Sequence, residues 1–164
     1  MTRASDQFPV DATGLPMAGA TELVELGDGD RFDLRIASVA KPIGAAVVRM
    51  LAYNGSIPGP TLRVRRGSKL VVNVVNEGHL EATVHWHGLR LENRDDGTPQ
   101  TQRPMSVDGT FTYHLVFPDP GVYWYHPHIR EDYGLDMGLY GTKITQTRKV
   151  LVWNLELESF LDLE

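Results

Sequence analysis

Residues 69–76, Lys-Leu-Val-Val-Asn-Val-Val-Asn, form an apolar, β-branched run held between the turn Gly67-Ser68 and the break Asn76-Glu77-Gly78. Such residues favour strands, and the punctuation limits the run to strand length. The same layout recurs at 22–26, 32–39, 45–53, 61–65, 110–117 and 121–125, with Gly, Pro, Asn and Asp between the runs. Many short strands at close intervals, with no convincing helical period among them, constrain the chain to an all-β antiparallel sandwich or barrel. Gly27-Asp28-Gly29-Asp30 predicts a hairpin joining 22–26 to 32–39. Helix is expected only around 130–137 and at the extreme C-terminus. The long polar stretch 92–109 reads as a loop, and loops of that length are usually functional or disordered.

Two of the expected strands end in histidine pairs: His85-Trp86-His87-Gly88 follows 81–84, and His126-Pro127-His128 follows 121–125. Along a strand, residues i and i+2 point to the same face, so each pair aims two imidazoles into one space. If the two strands are neighbours, four imidazoles converge. Taken singly, each histidine beside aromatics reads as a packing residue; two i,i+2 pairs favour a metal site. Imidazole suits copper, zinc, nickel and iron, and with no thiolate or carboxylate in either frame the affinity order favours copper, zinc being the main competitor.

A length of 164 residues fits one hydrophobic core, hence one domain. A net charge of -5 argues against a nucleic-acid partner, and Arg63, Arg65, Arg66 and Lys69 read as a solvated strand edge and turn. The chain has no cysteine, which excludes a disulfide, an iron–sulfur cluster, a thiolate zinc site and a cysteine-ligated copper within it. No membrane span is visible. Residues 1–19 lack a basic start followed by an uninterrupted apolar stretch, so no signal peptide is expected: the reading is a cytoplasmic chain, or an exported one whose leader has been removed.

An ordered series of motifs then resembles a known family. Tyr53-Asn54-Gly55-x-Ile57-Pro58-Gly59-Pro60-Thr61-Leu62, Gly67-Ser68-x-Leu70, His85-Trp86-His87-Gly88-Leu89, Asp96-Gly97-Thr98-Pro99-Gln100 and Pro120-Gly121-x-Tyr123-Trp124-Tyr125-His126-Pro127-His128 resemble the N-terminal cupredoxin (plastocyanin-like) domain of laccase-type multicopper oxidases. The resemblance runs from about residue 51 to 141. It implies a cupredoxin-like Greek-key β-sandwich, the copper-binding domain, over 21–153; from their own composition, residues 1–20 read as an irregular lead-in of prolines, glycines and scattered polar residues, and 154–164, with four acids and no base, as an acidic tail of no assigned structure. It also implies that His85 binds a type 2 copper, and that His87, His126 and His128 bind type 3 coppers. Asp96, in the family's Asp-Gly element, would deliver protons to bound oxygen. Asp96 also reads equally as a turn former in Asp95-Asp96-Gly97. His79 and His114 fit no motif and read as surface histidines.

The chain departs from the family in two places. A complete oxidase of this type has a C-terminal cupredoxin domain with two more histidine motifs, one carrying the cysteine of the type 1 copper; neither is present here. After Gly141, where the family has a final apolar strand, 142–149 is polar and basic before the strand-like Val150-Leu151-Val152-Trp153. The end of the chain is then the start of a second domain, a segment completing the sandwich, or a cover for an exposed core edge.

Three readings of function follow. The chain supplies half of a trinuclear copper site for dioxygen reduction and needs a complementary cupredoxin domain; it self-associates, so that two copies oppose eight imidazoles; or it is a non-enzymatic module holding one or two copper ions per chain. The scattered Met17, Met50, Met105 and Met137 make no soft-ligand patch for Cu(I) transport. Full oxidase activity is not expected of this chain alone.

Overall fold

The computed structural model describes residues 9–147 and, for the backbone only, residues 150–154 and 159–163. Among the described residues ten strands are formed: β1 (Leu23–Leu26), β2 (Arg31–Ile43), β3 (Ala46–Tyr53), β4 (Gly59–Arg65), β5 (Lys69–Glu77), β6 (Thr110–Val116), β7 (Gly121–Tyr125), β8 (Gly141–Gln146), β9 (Val150–Asn154) and β10 (Ser159–Leu163). A single short helix, α1 (Glu131–Asp136), lies between β7 and β8. It falls within the 130–137 stretch expected to be helical. Among the described residues no helix is long and apolar enough to cross a membrane.

The strands make two four-stranded sheets, ordered β1-β4-β8-β7 and β3-β2-β5-β6, and a separate two-stranded pair of β9 and β10. Both large sheets are mixed: β1 with β4, β4 with β8 and β2 with β5 run parallel, while β2 with β3, β5 with β6 and β7 with β8 run antiparallel. The sequence reading of a purely antiparallel sandwich is therefore corrected. Parallel neighbours need crossovers, and here they arise because the chain passes repeatedly from one sheet to the other. The expected hairpin over Gly27-Asp28-Gly29-Asp30 is one of these passages, since β1 and β2 belong to different sheets.

Alternation decides what each strand buries. On β5, Leu70, Val72, Val74 and Asn76 point inward; on β4, Leu62 and Val64 do so. With Leu34, Ile36, Leu51, Tyr53, Tyr113, Leu115, Phe117 and Tyr125 they make one core, which also takes in Val84 and Trp86 from the first histidine segment. β8 has the same alternation, but its inward positions are Gly141, Lys143 and Thr145. This is why the sequence from 142 onward reads as polar although 141–146 forms an inner strand of its sheet. At the C-terminus, the expected helix is replaced by the antiparallel β9–β10 pair; the side chains there lie outside the described residues.

Asn76 connects the core to the loops that carry the site. Its side-chain amide donates to the carbonyls of Leu80 (2.8 Å), Met105 (3.2 Å) and Ser106 (3.1 Å), and its oxygen accepts from the Gly78 amide (3.1 Å). A fully buried amide is stable only when so satisfied. It fixes residues 78–82, which lead into the first histidine pair, against the far end of the 92–109 loop.

Candidate metal centre

The first histidine pair does not lie on a regular strand. Residues 81–88 pair with other backbone in two isolated β-bridges, Ala82 with Met105 and His85 with His126. In the second of these, the His85 amide donates to the His126 carbonyl (2.7 Å) and the His126 amide returns the bond to the His85 carbonyl (3.1 Å). The two frames are thus locked in antiparallel register at their first histidines. Trp86, between its two histidines, is fully buried and packs against Tyr113 and Tyr125, with ring centroids 5.6 and 5.5 Å away. Burial of Trp86 turns His85 and His87 to the opposite side.

All four imidazoles come together. His85 is the hub, with centroid distances of 5.4 Å to His87, 5.4 Å to His126 and 4.9 Å to His128. His126 lies 5.7 Å from His87 and 5.5 Å from His128. Ring nitrogens of His85, His126 and His128 all fall within 4.8 Å of one another, a spacing that one metal ion can span. His87 joins through its Nδ1, 3.5 Å from His126 Nε2. The cluster is buried at His126 and open to solvent at His87.

Hydrogen bonds to the outer nitrogens orient the rings. His85 Nδ1 is 2.7 Å from the main-chain carbonyl of Asp96. A carbonyl only accepts, so the proton sits on Nδ1 and Nε2 is left with its lone pair facing the cluster. The Asp96 carboxylate lies farther off, 3.6 Å from the same nitrogen and one-third exposed. Gly97 makes this approach possible: at φ +79° a Cβ there would sit 1.9 Å from the Val84 carbonyl oxygen. His126 Nδ1 likewise faces the Pro127 carbonyl at 2.9 Å, and its ring stacks on Trp124 at 3.8 Å and 17°. Burial pushes the His126 imidazole down to about 4 and lowers His85 as well, so both rings are neutral and keep a lone pair at neutral pH.

Three supporting residues escaped the sequence reading. Lys143, fully buried on β8, donates from Nζ to the His87 carbonyl at 3.2 Å, and burial brings its ammonium down to about 7. Thr83 accepts the His128 amide at 3.1 Å. Glu131 faces His126 Nδ1 at 3.3 Å and His128 Nδ1 at 3.8 Å. Only Glu131 left a trace in the sequence, as an acid three residues beyond His128 where a helix was expected. Of the other histidines, His114 is half-exposed on β6, as expected, but His79 is partly buried, with Nε2 2.9 Å from the Tyr133 hydroxyl.

Comparison with known proteins agrees with this geometry. The multicopper oxidase family model matches residues 37–149. Multicopper oxidase MmcO of Mycobacterium tuberculosis is 42% identical over 95 residues, covering 57% of this chain and 19% of the relative. Copper resistance protein A of Escherichia coli is 32% identical over 138 residues, covering 82% and 21%. Among solved structures, the blue copper oxidase from Nitrosomonas europaea superposes with a TM-score of 0.71 at 32% identity, covering 76% of this chain and 41% of that one. Lac15 from a marine microbial metagenome gives 0.65 at 37%, covering 72% and 33%. The chain thus spans about a fifth of the length of these curated relatives, and, with a cupredoxin β-sandwich and a family match over more than half its length, it belongs to the multicopper oxidase family.

Proposed function

We propose that this chain supplies four histidines, half of a trinuclear copper site for dioxygen reduction, and that a complementary cupredoxin domain or a second copy of the chain supplies the rest. His85 would be the type 2 ligand, and His87, His126 and His128 type 3 ligands. The reciprocal bridge between His85 and His126 is the observation that carries this reading: it brings four imidazoles from separate segments into one cluster that stays open at His87. The donor set fits copper, being all imidazole with the outer nitrogens of His85 and His126 already engaged. Copper bound there would supply the electron transfer to dioxygen. With no cysteine, the chain has no type 1 site of its own, so electrons must enter through the partner or an external donor. Asp96 would pass protons toward the cluster, a role supported by its carboxylate lying 3.6 Å from His85 Nδ1 and one-third exposed to solvent.

Copper content per chain, measured with absolute mass by light scattering on one loaded sample, tests the proposal. A dimer or higher oligomer holding about three coppers per eight histidines supports self-assembly, and weak, partial loading of a monomer supports a half-site awaiting a different domain. A second reading, a module that holds one or two copper ions on its own, is favoured by the 4.8 Å grouping of His85, His126 and His128. A monomer saturating stoichiometrically at that level, with no further copper on adding a partner domain, would select it and overturn the half-site.

A further inference from the structure

The carboxylate of Glu131 lies between the outer nitrogens of the second histidine pair. One oxygen, Oε1, is 3.3 Å from His126 Nδ1, and the other, Oε2, is 3.8 Å from His128 Nδ1. Glu131 opens α1, directly after the second frame, so the turn of chain that ends the histidine segment also brings the carboxylate back beneath it. The two rings differ in what else holds them. His126 Nδ1 already has the Pro127 carbonyl at 2.9 Å; for His128 Nδ1, among the described residues, the Glu131 carboxylate at 3.8 Å acts by charge attraction, since that distance is longer than a hydrogen bond. Asp96 lies on the side of the other frame, 3.6 Å from His85 Nδ1.

Histidine ligands need the outer N–H held so that the inner nitrogen keeps its lone pair, and a carboxylate in that position also makes the ring a better donor. We infer that Glu131 is a positioning residue for the second histidine pair, holding both rings in the Nδ1–H form so that both Nε2 atoms face the cluster, with His128 dependent on it and His126 only reinforced by it. The copper role of the pair rests on the function proposed above, but the tautomer assignment does not.

The test uses the full chain free of metal, labelled with nitrogen-15 at histidine, at about pH 8 where imidazoles are neutral. The expected spectrum has His85, His126 and His128 protonated at Nδ1. In Glu131→Ala, His128 shifts toward the Nε2–H form or a mixture, while His126 and His85 hold, being bonded to the carbonyls of Pro127 and Asp96. Glu131→Gln keeps the size but offers one acceptor oxygen, and falls between the two. Copper titration of the same proteins should then show the affinity falling by about 10–100-fold in Glu131→Ala and less in Glu131→Gln.

An unchanged His128 tautomer in Glu131→Ala overturns the inference. So does a fall in copper affinity without a tautomer change, which would make the carboxylate a direct ligand. The Glu131 side chain is 41% exposed, so the alanine variant is expected to fold, and the glutamine variant carries the same readout if it does not. A parent chain that binds no copper would sink the half-site, leaving the tautomer shift to judge Glu131 alone.

Discussion

The two histidine frames differ in what holds them. His85-Trp86-His87 is tied to distant parts of the chain: Trp86 is sunk in the core, the Asp96 carbonyl holds His85, and Lys143 of β8 holds the His87 carbonyl. The rings of His126-Pro127-His128 are held mostly from close by, through the Pro127 carbonyl and Glu131, while the reciprocal backbone bonds between His85 and His126 and the bond from the His128 amide to Thr83 link this frame to the first. A frame fixed by tertiary contacts is assembled only when the sandwich forms, so damage to it should register as lost stability. A frame fixed locally can lose its supports while the fold survives, so damage there should register in the orientation of the imidazoles.

The largest expected effect tests the first half of this contrast. Trp86→Ala should cost roughly 3–5 kcal/mol of folding stability, read by urea unfolding, because it empties a fully buried indole site between Tyr113 and Tyr125. Val122→Ala, at a position 73% exposed next to the second frame, is the control and should cost little. Similar losses from the two would remove the distinction.

The exception to the contrast is His126, which belongs to the local frame but is itself buried. Its folded-state value of about 4 lies below the usual 6.5, so the unfolded chain binds the proton more readily. The stability this contributes is complete above about pH 6.5 and is lost as pH falls toward 4, on the order of 3 kcal/mol at most. His85, lowered in the same direction, adds to it. Urea unfolding of the copper-free protein at both ends of that window should show the drop, and His126→Gln should flatten it. A drop of the same size in His126→Gln would place the acid sensitivity elsewhere.

How far the sequence foretold this arrangement depends on where the information lay. β5 was legible because its inward positions are Leu70, Val72 and Val74, and the histidine pairs were legible because their spacing alone makes each pair share a face. β8 was not, since Lys143 and Thr145 occupy its inward positions; a buried lysine looks like a surface residue until its carbonyl partner is known. The Asp-Gly turn before β2 looked like a hairpin because local turn chemistry does not specify whether the next strand stays in the sheet. Neither Lys143 nor Thr83 could be tied to the cluster from sequence, because both contacts cross between elements. Asp96 was singled out for its carboxylate, whereas the shorter contact to His85 comes from its backbone.

Gly97→Ala probes that backbone contact. A Cβ at φ +79°, aimed at the Val84 carbonyl, forces the Asp96–Gly97 segment away from His85 and should cost about 1–3 kcal/mol. The histidine spectra should show His85 losing its fixed Nδ1–H form while His128 keeps it, the reverse of the pattern expected when Glu131 is removed. If both substitutions disturbed the same rings, the frames would be one coupled unit rather than two separately supported ones.

The smallest effect is expected from Asp96→Asn, and its smallness is informative. The substitution leaves the main-chain carbonyl 2.7 Å from His85 Nδ1 in place and changes only a carboxylate 3.6 Å away and one-third exposed. Folding stability should move by no more than about 0.5 kcal/mol. Copper affinity should stay within about threefold of the parent, against the 10–100-fold loss expected for Glu131→Ala. The contrast follows from the kind of group each frame relies on, since a backbone acceptor survives any substitution that keeps the local turn and a side-chain acceptor does not. With a completed copper site, Asp96→Asn should slow oxygen consumption while leaving copper loading unchanged, the signature of a group that moves protons rather than one that holds a ligand. A loss of loading as large as that from Glu131→Ala would mean that the Asp96 carboxylate also positions His85, and both frames would then depend on side-chain acids.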